Sequence, residues 1–359
     1  MRYALSMASR SLGISWPNPS VGCVIVNEGE VVGKGCTQQG GRPHAEAIAL
    51  SMAGKKAQKS TMYVTLEPCC HHGQTAPCTE NIIKSGVSKI FIATLDFDTR
   101  VNGKGIKDLK ESGMEVHVGL LKEEAEELNE GFFKSLIQKK PFVTLKLAAS
   151  IDGKIATSTG SSKWITGEES RKNSHYLRAR NDAIMVSSST ILSDNPELSC
   201  RLPGMESYSP VKVILDSKRR VSINSKVFNS KYNSTIIIYT SEELTKKKNV
   251  EALKKGINVF RVNQSKNYDG LDLDEVLRSL SDFGITRLMV ESGMKLSSRL
   301  ILESLVDKLV LYRSSSIIGN DGLPFISFMG VKNIKNTINY RRVSSKVIDK
   351  DVLEVYTSD

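Results

Sequence analysis

The feature that most constrains this chain is a set of metal-binding side chains: His44-Ala45-Glu46, then Glu67-Pro68-Cys69, then Cys78 after a loop of eight residues. Zinc takes neutral imidazole and thiolate ligands, and a catalytic zinc keeps three protein ligands with its fourth position open. His44, Cys69 and Cys78 supply that set for one zinc per chain. Glu46 lies two positions after the first ligand at the start of a predicted helix. It is the expected catalytic carboxylate, taking a proton from an attacking water and delivering it to a ring and its leaving amine. The residues thus point to hydrolytic removal of an exocyclic amino group from a nucleobase-like ring.

Two alternatives stay open at this level. The general zinc-deaminase pattern has two residues between its cysteines, whereas eight stand here, so Cys70, His71 or His72 is an alternative ligand. A closed structural zinc is the other, although it recruits a fourth ligand and has no use for Glu46. Six cysteines spread over 359 residues, two of them adjacent, suit a metal site in a reducing cytoplasm better than a disulfide framework.

That length exceeds what a single core usually supports, so two domains are expected. Apolar spacing predicts a helix over Tyr3–Leu12, a hairpin from Val21–Val26 to Val31 and Val32, a helix over His44–Met52 and a strand over Thr61–Leu66. Helices at Thr79–Ser85 and Ile106–Ser112 alternate with strands at Ile90–Leu95 and Glu115–Val118, predicting a mixed sheet. One helix is expected over Lys122–Ile137, stopped by Pro141, with the domain boundary near Lys140. Beyond it, strands are predicted at Phe142–Ala148, Ala183–Val186, Val211–Leu215, Thr235–Tyr239, Asn258–Val262, Arg287–Val290 and Lys308–Tyr312. Helices at Leu273–Phe283 and Lys295–Ser304 complete a second α/β domain. No Gly-x-Gly-x-x-Gly follows any strand.

The string Pro17-Asn18-Pro19-Ser20-Val21-Gly22-Cys23-Val24-Ile25-Val26, the His44-Ala45-Glu46 and Thr65-Leu66-Glu67-Pro68-Cys69 segments, and His71-His72-Gly73 through Pro77-Cys78 closely resemble the bifunctional deaminase/reductase family of riboflavin biosynthesis. The second half continues the resemblance through Lys146-Leu147-Ala148-Ala149-Ser150-Ile151-Asp152-Gly153-Lys154 and Ser162-Lys163-Trp164-Ile165-Thr166-Gly167. It implies a cytidine-deaminase-like α/β/α domain over 1–140 and a dihydrofolate-reductase-like α/β domain over 141–359, the latter binding NADPH without a Rossmann fingerprint. The implied substrate is a diamino-ribosylamino-pyrimidinone 5′-phosphate, deaminated and then reduced at C1 of the ribosyl group. Asn18, His71 and Asp96 are implied substrate contacts of the first domain. Ser162, Arg178, Leu198, Arg201 and Glu291 are those of the second. Ala148, Trp164, Thr190, Asp194, Ser217 and the loop Gly293-Met294-Lys295-Leu296-Ser297-Ser298-Arg299 are implied NADPH contacts. Read alone, Arg178 is an ordinary helix-surface cation. The family also suggests a homo-oligomer.

The chain departs from the family in places. Ser292 replaces another small residue, Ser314 to Gly319 lacks a proline, and Asp96-Phe97-Asp98-Thr99-Arg100 stands where Asp-Pro-Asn-Pro is common. An acid at Asp98 would repel a substrate phosphate unless Arg100 or Lys104 compensates. The net charge of +11 is diffuse; Lys246, Lys247, Lys248, Lys254 and Lys255 sit among glutamates on a predicted solvated helix face. No focused basic stripe with stacking aromatics argues for nucleic acid, and no run of about 18 apolar residues argues for a membrane.

Overall fold

Alternating apolar residues in short segments build the first sheet, and β-branched side chains dominate its interior. The computed structural model describes residues 1–73, 76–229, 235–242 and 256–358, and the lysine cluster at 246–255 lies outside them. The chain divides into two compact units, Met1–Lys140 and Pro141–Asp359.

In the first unit, β1 (Gly22–Asn27) turns back through Gly29 into β2 (Glu30–Cys36), and β3 (Thr61–Val64), β4 (Lys89–Ile92) and β5 (Glu115–Val118) follow. The order is β2-β1-β3-β4-β5; β1 runs antiparallel to both neighbours, while β3, β4 and β5 are parallel, so the sheet is mixed as expected. Cys23 and Ile25 of β1 pack with Ala45 and Ala49 of α2 (Ala45–Ala53), and Val24 packs on the other face with Ala4 and Met7 of α1 (Arg2–Ala8). Both helices lie unusually close to the sheet. A Cβ on Gly22 would stand 1.9 Å from the Ala4 carbonyl oxygen, and one on Gly35 would stand 2.4 Å from that of Ala45. Helices α3 (Cys78–Ser85), α4 (Lys104–Glu111), α5 (Lys122–Leu128) and α6 (Glu130–Gln138) complete the layers.

Two helices differ from expectation. The first ends at Ala8 and continues as a 3₁₀ turn over Ser9–Ser11. The single helix expected over Lys122–Ile137 is broken at Asn129, whose φ of −105° and ψ of 17° leave the helical region. The cause is tertiary: the buried Asn129 amide accepts a hydrogen bond from the Ser20 N–H at 2.9 Å and donates to the Ser20 carbonyl at 3.0 Å. It therefore fixes the Pro17–Ser20 turn.

The second unit carries a nine-stranded sheet in the order β11-β10-β9-β8-β12-β6-β13-β16-β15. Its parallel part comprises β6 (Phe142–Ala149), β8 (Ala183–Ser187), β9 (Val211–Leu215), β10 (Ile236–Thr240), β11 (Ile257–Arg261), β12 (Arg287–Glu291) and β13 (Lys308–Arg313). All five residues of β9 are buried, as expected of a strand covered on both faces. The antiparallel ribbon β15 (Tyr340–Ile348) and β16 (Asp351–Ser358) closes one edge, and β7 (Lys154–Ala156) pairs separately with β14 (Leu323–Pro324). Helices α7 (Glu168–Ala179), α8 (Ser188–Asp194), α9 (Leu273–Asp282) and α10 (Met294–Leu302) flank the sheet. Among the described residues no helix is long and apolar enough to cross a membrane.

Six of these elements escape the apolar pattern, the short β7 and β14 among them. The buried positions of α7 are Ser170, Ser174 and Ala179, so small polar residues face inward and no hydrophobic stripe marks the helix. Short α8 buries only Ser188 and Ile191. Strand β15 is solvent-exposed along almost its whole length and is held by its ladder to β16, whose mixed polar and apolar residues give no strand signal either.

Removing the Asn129 amide leaves a buried N–H and carbonyl without partners. Asn129→Ala is therefore expected to destabilise the first unit by about 2–3 kcal/mol. Urea unfolding of the full chain, with hydrogen exchange followed in residues 1–140, checks this; an unchanged midpoint would contradict it.

Candidate functional site

Three element ends converge on the metal-binding set. His44 is the extended residue that precedes α2, Cys69 follows β3 through Thr65–Pro68, and Cys78 opens α3. The donor atoms lie within 4.8 Å of one another. His44 Nδ1 stands 3.3 Å from Cys78 Sγ and 3.7 Å from Cys69 Sγ. A tetrahedral zinc with ordinary Zn–N and Zn–S bonds separates such atoms by about 3.6 Å, so this donor set fits the ion. The Cys78 N–H at the start of α3 points at Cys69 Sγ at 3.4 Å. The hydrogen bond with Cys78, and then that with His44, hold the Cys69 thiol well below its usual range despite burial, which favours the thiolate a metal needs. The same contact and burial push Cys78 up.

Glu46, in the first turn of α2, is buried beside this set. Burial, and then the neighbouring Cys69, raise its carboxyl, and it is hydrogen-bonded with Cys78. A raised carboxyl takes up a proton more readily than a free one, which suits a group that must accept and return one. The alternative ligands are drawn elsewhere. Cys70 Sγ faces the Arg100 carbonyl at 3.7 Å, and His72 pairs with Glu80 at 3.0 Å. His71 Nδ1 is buried without a hydrogen-bond partner, a polar atom open to a ligand.

The segment that bears Cys69 is tied by Glu67, a residue to which the sequence pattern gives no role. Its buried carboxylate accepts from the N–H groups of Gly103 at 2.9 Å, Ile106 at 3.1 Å and Asp96 at 3.3 Å. Gly105 is required beneath it, because a Cβ there would stand 2.3 Å from the Pro68 carbonyl oxygen. Asp96 is buried, and burial pushes its carboxyl up to about 6, with Asp98, Glu67 and Cys69 adding to the rise and the Asp98 N–H opposing it. Asp98 is paired with Arg100, whose Nε lies 3.0 Å from each carboxylate oxygen and whose Nη2 closes on Oδ2 at 2.5 Å. Arg100 thus supplies the compensation that the departure from Asp-Pro-Asn-Pro demands. Asn18 donates from Nδ2 to the Gly41 carbonyl at 3.0 Å, three residues before the ligand His44.

In the second unit a buried ion cluster sits where β6 and β12 run side by side. Arg178 of α7 grips Glu291 with two parallel bonds, Nε to Oε1 at 2.7 Å and Nη2 to Oε2 at 2.9 Å, and Lys146 Nζ lies 3.8 Å from Oε2. Arg178 is therefore no surface cation, the reading its helix suggested in isolation. Lys146 belongs to the Lys146–Lys154 motif, and a lysine inside a strand gives no signal of this contact. Burial alone would raise Glu291, but Arg178 and Lys146 outweigh it and hold the carboxyl at about 2. Arg178 Nη1 also donates to the Ser199 carbonyl at 3.2 Å, next to buried Leu198. Arg201 is half-exposed, and its N–H meets His175 Nδ1 at 3.3 Å. Ser162 is half-buried.

A cleft of about 440 Å³ brings together Ser217, the Gly293–Leu296 turn and Arg299, with Ser187, Ser188 and Ser189 beside them. Arg299 is paired with Glu303 at 2.6 Å, yet its buried Nη2 has no partner. An orphaned guanidinium nitrogen and a row of hydroxyls suit a phosphorylated cofactor. Ser292 joins this row, its Oγ lying 3.3 Å from Ser187 Oγ. Ala148, Trp164, Thr190 and Asp194 are not among the residues lining the cleft. The Trp164 ring is exposed and stacked by the Arg171 guanidinium at 4.6 Å. Ser297 and Ser298 also lie off the cleft, their hydroxyls donating to the Ser292 and Met294 carbonyls.

Comparison with known proteins agrees with both halves. Residues 1–94 match the cytidine and deoxycytidylate deaminase zinc-binding region, and residues 141–353 match the RibD C-terminal domain. These two matches indicate a zinc ion and a nicotinamide cofactor. The riboflavin biosynthesis protein RibD of Aquifex aeolicus is 41% identical over 98% of this chain and 96% of its own length. Among solved structures, RibD of Acinetobacter baumannii superposes with a TM-score of 0.89 at 31% identity, covering 100% of this chain and 97% of that one. The diaminohydroxyphosphoribosylaminopyrimidine deaminase/5-amino-6-(5-phosphoribosylamino)uracil reductase of Thermotoga maritima superposes at 0.87 with 34% identity, again covering 100% and 97%. A cytidine-deaminase-like domain followed by a reductase domain, with this similarity along nearly the full length, identifies the chain as a member of the RibD family of bifunctional deaminase/reductases of riboflavin biosynthesis.

Proposed function

We propose that the first unit removes the 2-amino group of 2,5-diamino-6-ribosylamino-4(3H)-pyrimidinone 5′-phosphate and that the second reduces the ribosyl group of the product with NADPH, giving 5-amino-6-ribitylamino-uracil 5′-phosphate. The observation that carries this reading is buried Glu46 beside a three-donor set of His44, Cys69 and Cys78. His44, Cys69 and Cys78 would hold zinc, which when bound would supply Lewis acidity and a nucleophile at neutral pH. Glu46 accepts the proton of the attacking water, then protonates the ring and the departing amine, which leaves as ammonia. Asn18, His71 and Asp96 orient the ring and ribose.

In the second unit Arg178, held rigid by Glu291, and Arg201 orient the substrate and receive its phosphate, with Ser162 and Leu198 shaping the pocket. NADPH, when bound, supplies the hydride equivalent for C1 of the sugar. Ser217, the Gly293–Leu296 turn and Arg299 would hold its phosphates, and Ala148, Trp164, Thr190 and Asp194 would supply further contacts. Free thiols at Cys23, Cys36 and Cys70 suit a reducing, cytoplasmic setting.

The enzyme is further proposed to be a homo-oligomer joined through its reductase half. Val343 and Val347 on the edge strand β15 are 51% and 75% exposed, and Phe328 is 92% exposed. An open strand edge bearing apolar side chains is a template for pairing with a second copy.

Purified protein given the pyrimidinone substrate, zinc and NADPH is expected to release ammonia and then oxidise NADPH; ammonia release without NADPH consumption would refute the two-step reading. Glu46→Gln should retain zinc, lose about 10²- to 10⁴-fold in deamination and reduce pre-deaminated substrate at the normal rate. Loss of both activities in that variant would contradict separate sites. Replacing both Val343 and Val347 by Glu should convert the sedimenting species from oligomer to monomer, whereas a wild-type chain that sediments as a monomer would remove the assembly claim.

A further inference from the structure

The cleft in the second unit holds a cation that the mechanism above does not use. Strand β9 ends at Leu215, and buried Asp216 then folds the chain sharply: its Oδ1 accepts from the Arg220 N–H at 3.0 Å and its Oδ2 from the Val221 N–H at 2.8 Å. This turn presents Arg220 to the cleft, where its Nη2 donates to Ser188 Oγ at 2.9 Å. Ser188 stands there because Ser187 and Leu215 are paired across adjacent parallel strands, so the residues after β8 and after β9 emerge side by side. Ser188, Ser217 and Arg220 therefore share one rim, at the carboxyl ends of parallel strands, where ligands of open α/β sheets bind.

The charge of Arg220 distinguishes it from the other arginines of the unit's two sites. Arg178 is neutralised by Glu291 and Arg299 by Glu303. Arg220 has no carboxylate partner among the described residues, since Asp216 spends its oxygens on backbone N–H groups. Asp269, the acid on the cleft wall, turns its carbonyl to Arg299. A guanidinium has five N–H donors in a rigid fork, and Ser188 engages only one nitrogen. On the same cleft wall Ser187, Ser188, Ser189 and Ser217 carry hydroxyls that can add bonds to an anion beside that guanidinium. Such a rim matches a phosphate monoester dianion.

We propose that Arg220, with Ser188 and Ser217, receives the 2′-phosphate of the dinucleotide and so makes the reductase prefer NADPH to NADH. This rests on the reading of the cleft as the cofactor site. Lys295 and the backbone at the start of α10 remain for the pyrophosphate. NADH lacks the 2′-phosphate and leaves Arg220 with Ser188 alone.

The test measures binding as well as turnover on the intact chain. By calorimetry, wild-type protein is expected to bind adenosine 2′,5′-bisphosphate about 10- to 100-fold more tightly than 5′-AMP, the worth of one or two charge-assisted hydrogen bonds. Arg220→Gln should bring the bisphosphate down to the affinity of AMP and leave AMP unchanged. In steady state the variant should lose kcat/KM for NADPH by the same factor and keep its value for NADH, while Arg220→Lys should recover part of the loss. Equal losses for both nucleotides would show that Arg220 only supports the cleft and would overturn the proposal, as would retained discrimination in Arg220→Gln. A wild-type protein that binds neither NADPH nor NADH would instead refute the cofactor reading itself.

Discussion

The deaminase site depends on the carboxylate of Glu67. A strand must end and a loop begin just where a zinc ligand is needed, and the backbone there has N–H groups with no ladder partner. Glu67 satisfies three of them at once, on Asp96, Gly103 and Ile106. It thereby fastens the segment bearing Cys69 to the loop bearing Asp96 and to the start of α4. Without that knot the ligand loop would have no fixed origin, and Gly105 would have no reason to lie so close under Pro68. A metal site made from three separate element ends works only if those ends are already held, because a zinc–sulfur bond tolerates little error in length.

Much of this was legible in the sequence, and the reason is chemical. His44, Cys69, Cys78 and Glu46 belong to residue types with few other uses in that combination, so their spacing alone points to the site. The central strands of the second unit, β8, β9, β10 and β12, were legible because they are buried on both faces and read as continuous apolar runs, as at Val211–Leu215. Helix α7 was not, since its inward face is serine and alanine. Nor was the break at Asn129, where local propensity favours a continuous helix and a hydrogen-bonding partner far away in sequence overrides it. Lys146 and Glu67 share that difficulty: a charged residue in or beside a strand looks solvated until the structure shows what it faces.

The two sites manage charge in different ways. In the first, Asp96 is driven towards its neutral form by burial, and Asp98 is cancelled by Arg100. Arg100 therefore offsets the charge of Asp98, while Asp96 takes up a proton at higher pH than a free carboxyl would. In the second, Glu291 stays ionised because Arg178 and Lys146 surround it. Two cations against one carboxylate leave the cluster positive. A buried pair of this kind adds little net stability against an apolar replacement, so its value lies in holding a guanidinium in one orientation. Ser292, a departure from the family, is absorbed without any change of charge, because its hydroxyl extends a row already formed by Ser187, Ser188 and Ser189.

The Asn129 amide also governs when the first unit can be completed during synthesis. Its partner Ser20 lies 109 residues earlier, so the turn that carries Asn18 leaves the ribosome long before the group that fixes it. Contacts of such long sequence separation form late, and a domain made N-terminal first must wait for them. The hairpin and α2 can pair as soon as they emerge, giving His44 and Glu46 an early scaffold. The turn that carries Asn18 gains its final shape only once the far end of the unit has been translated.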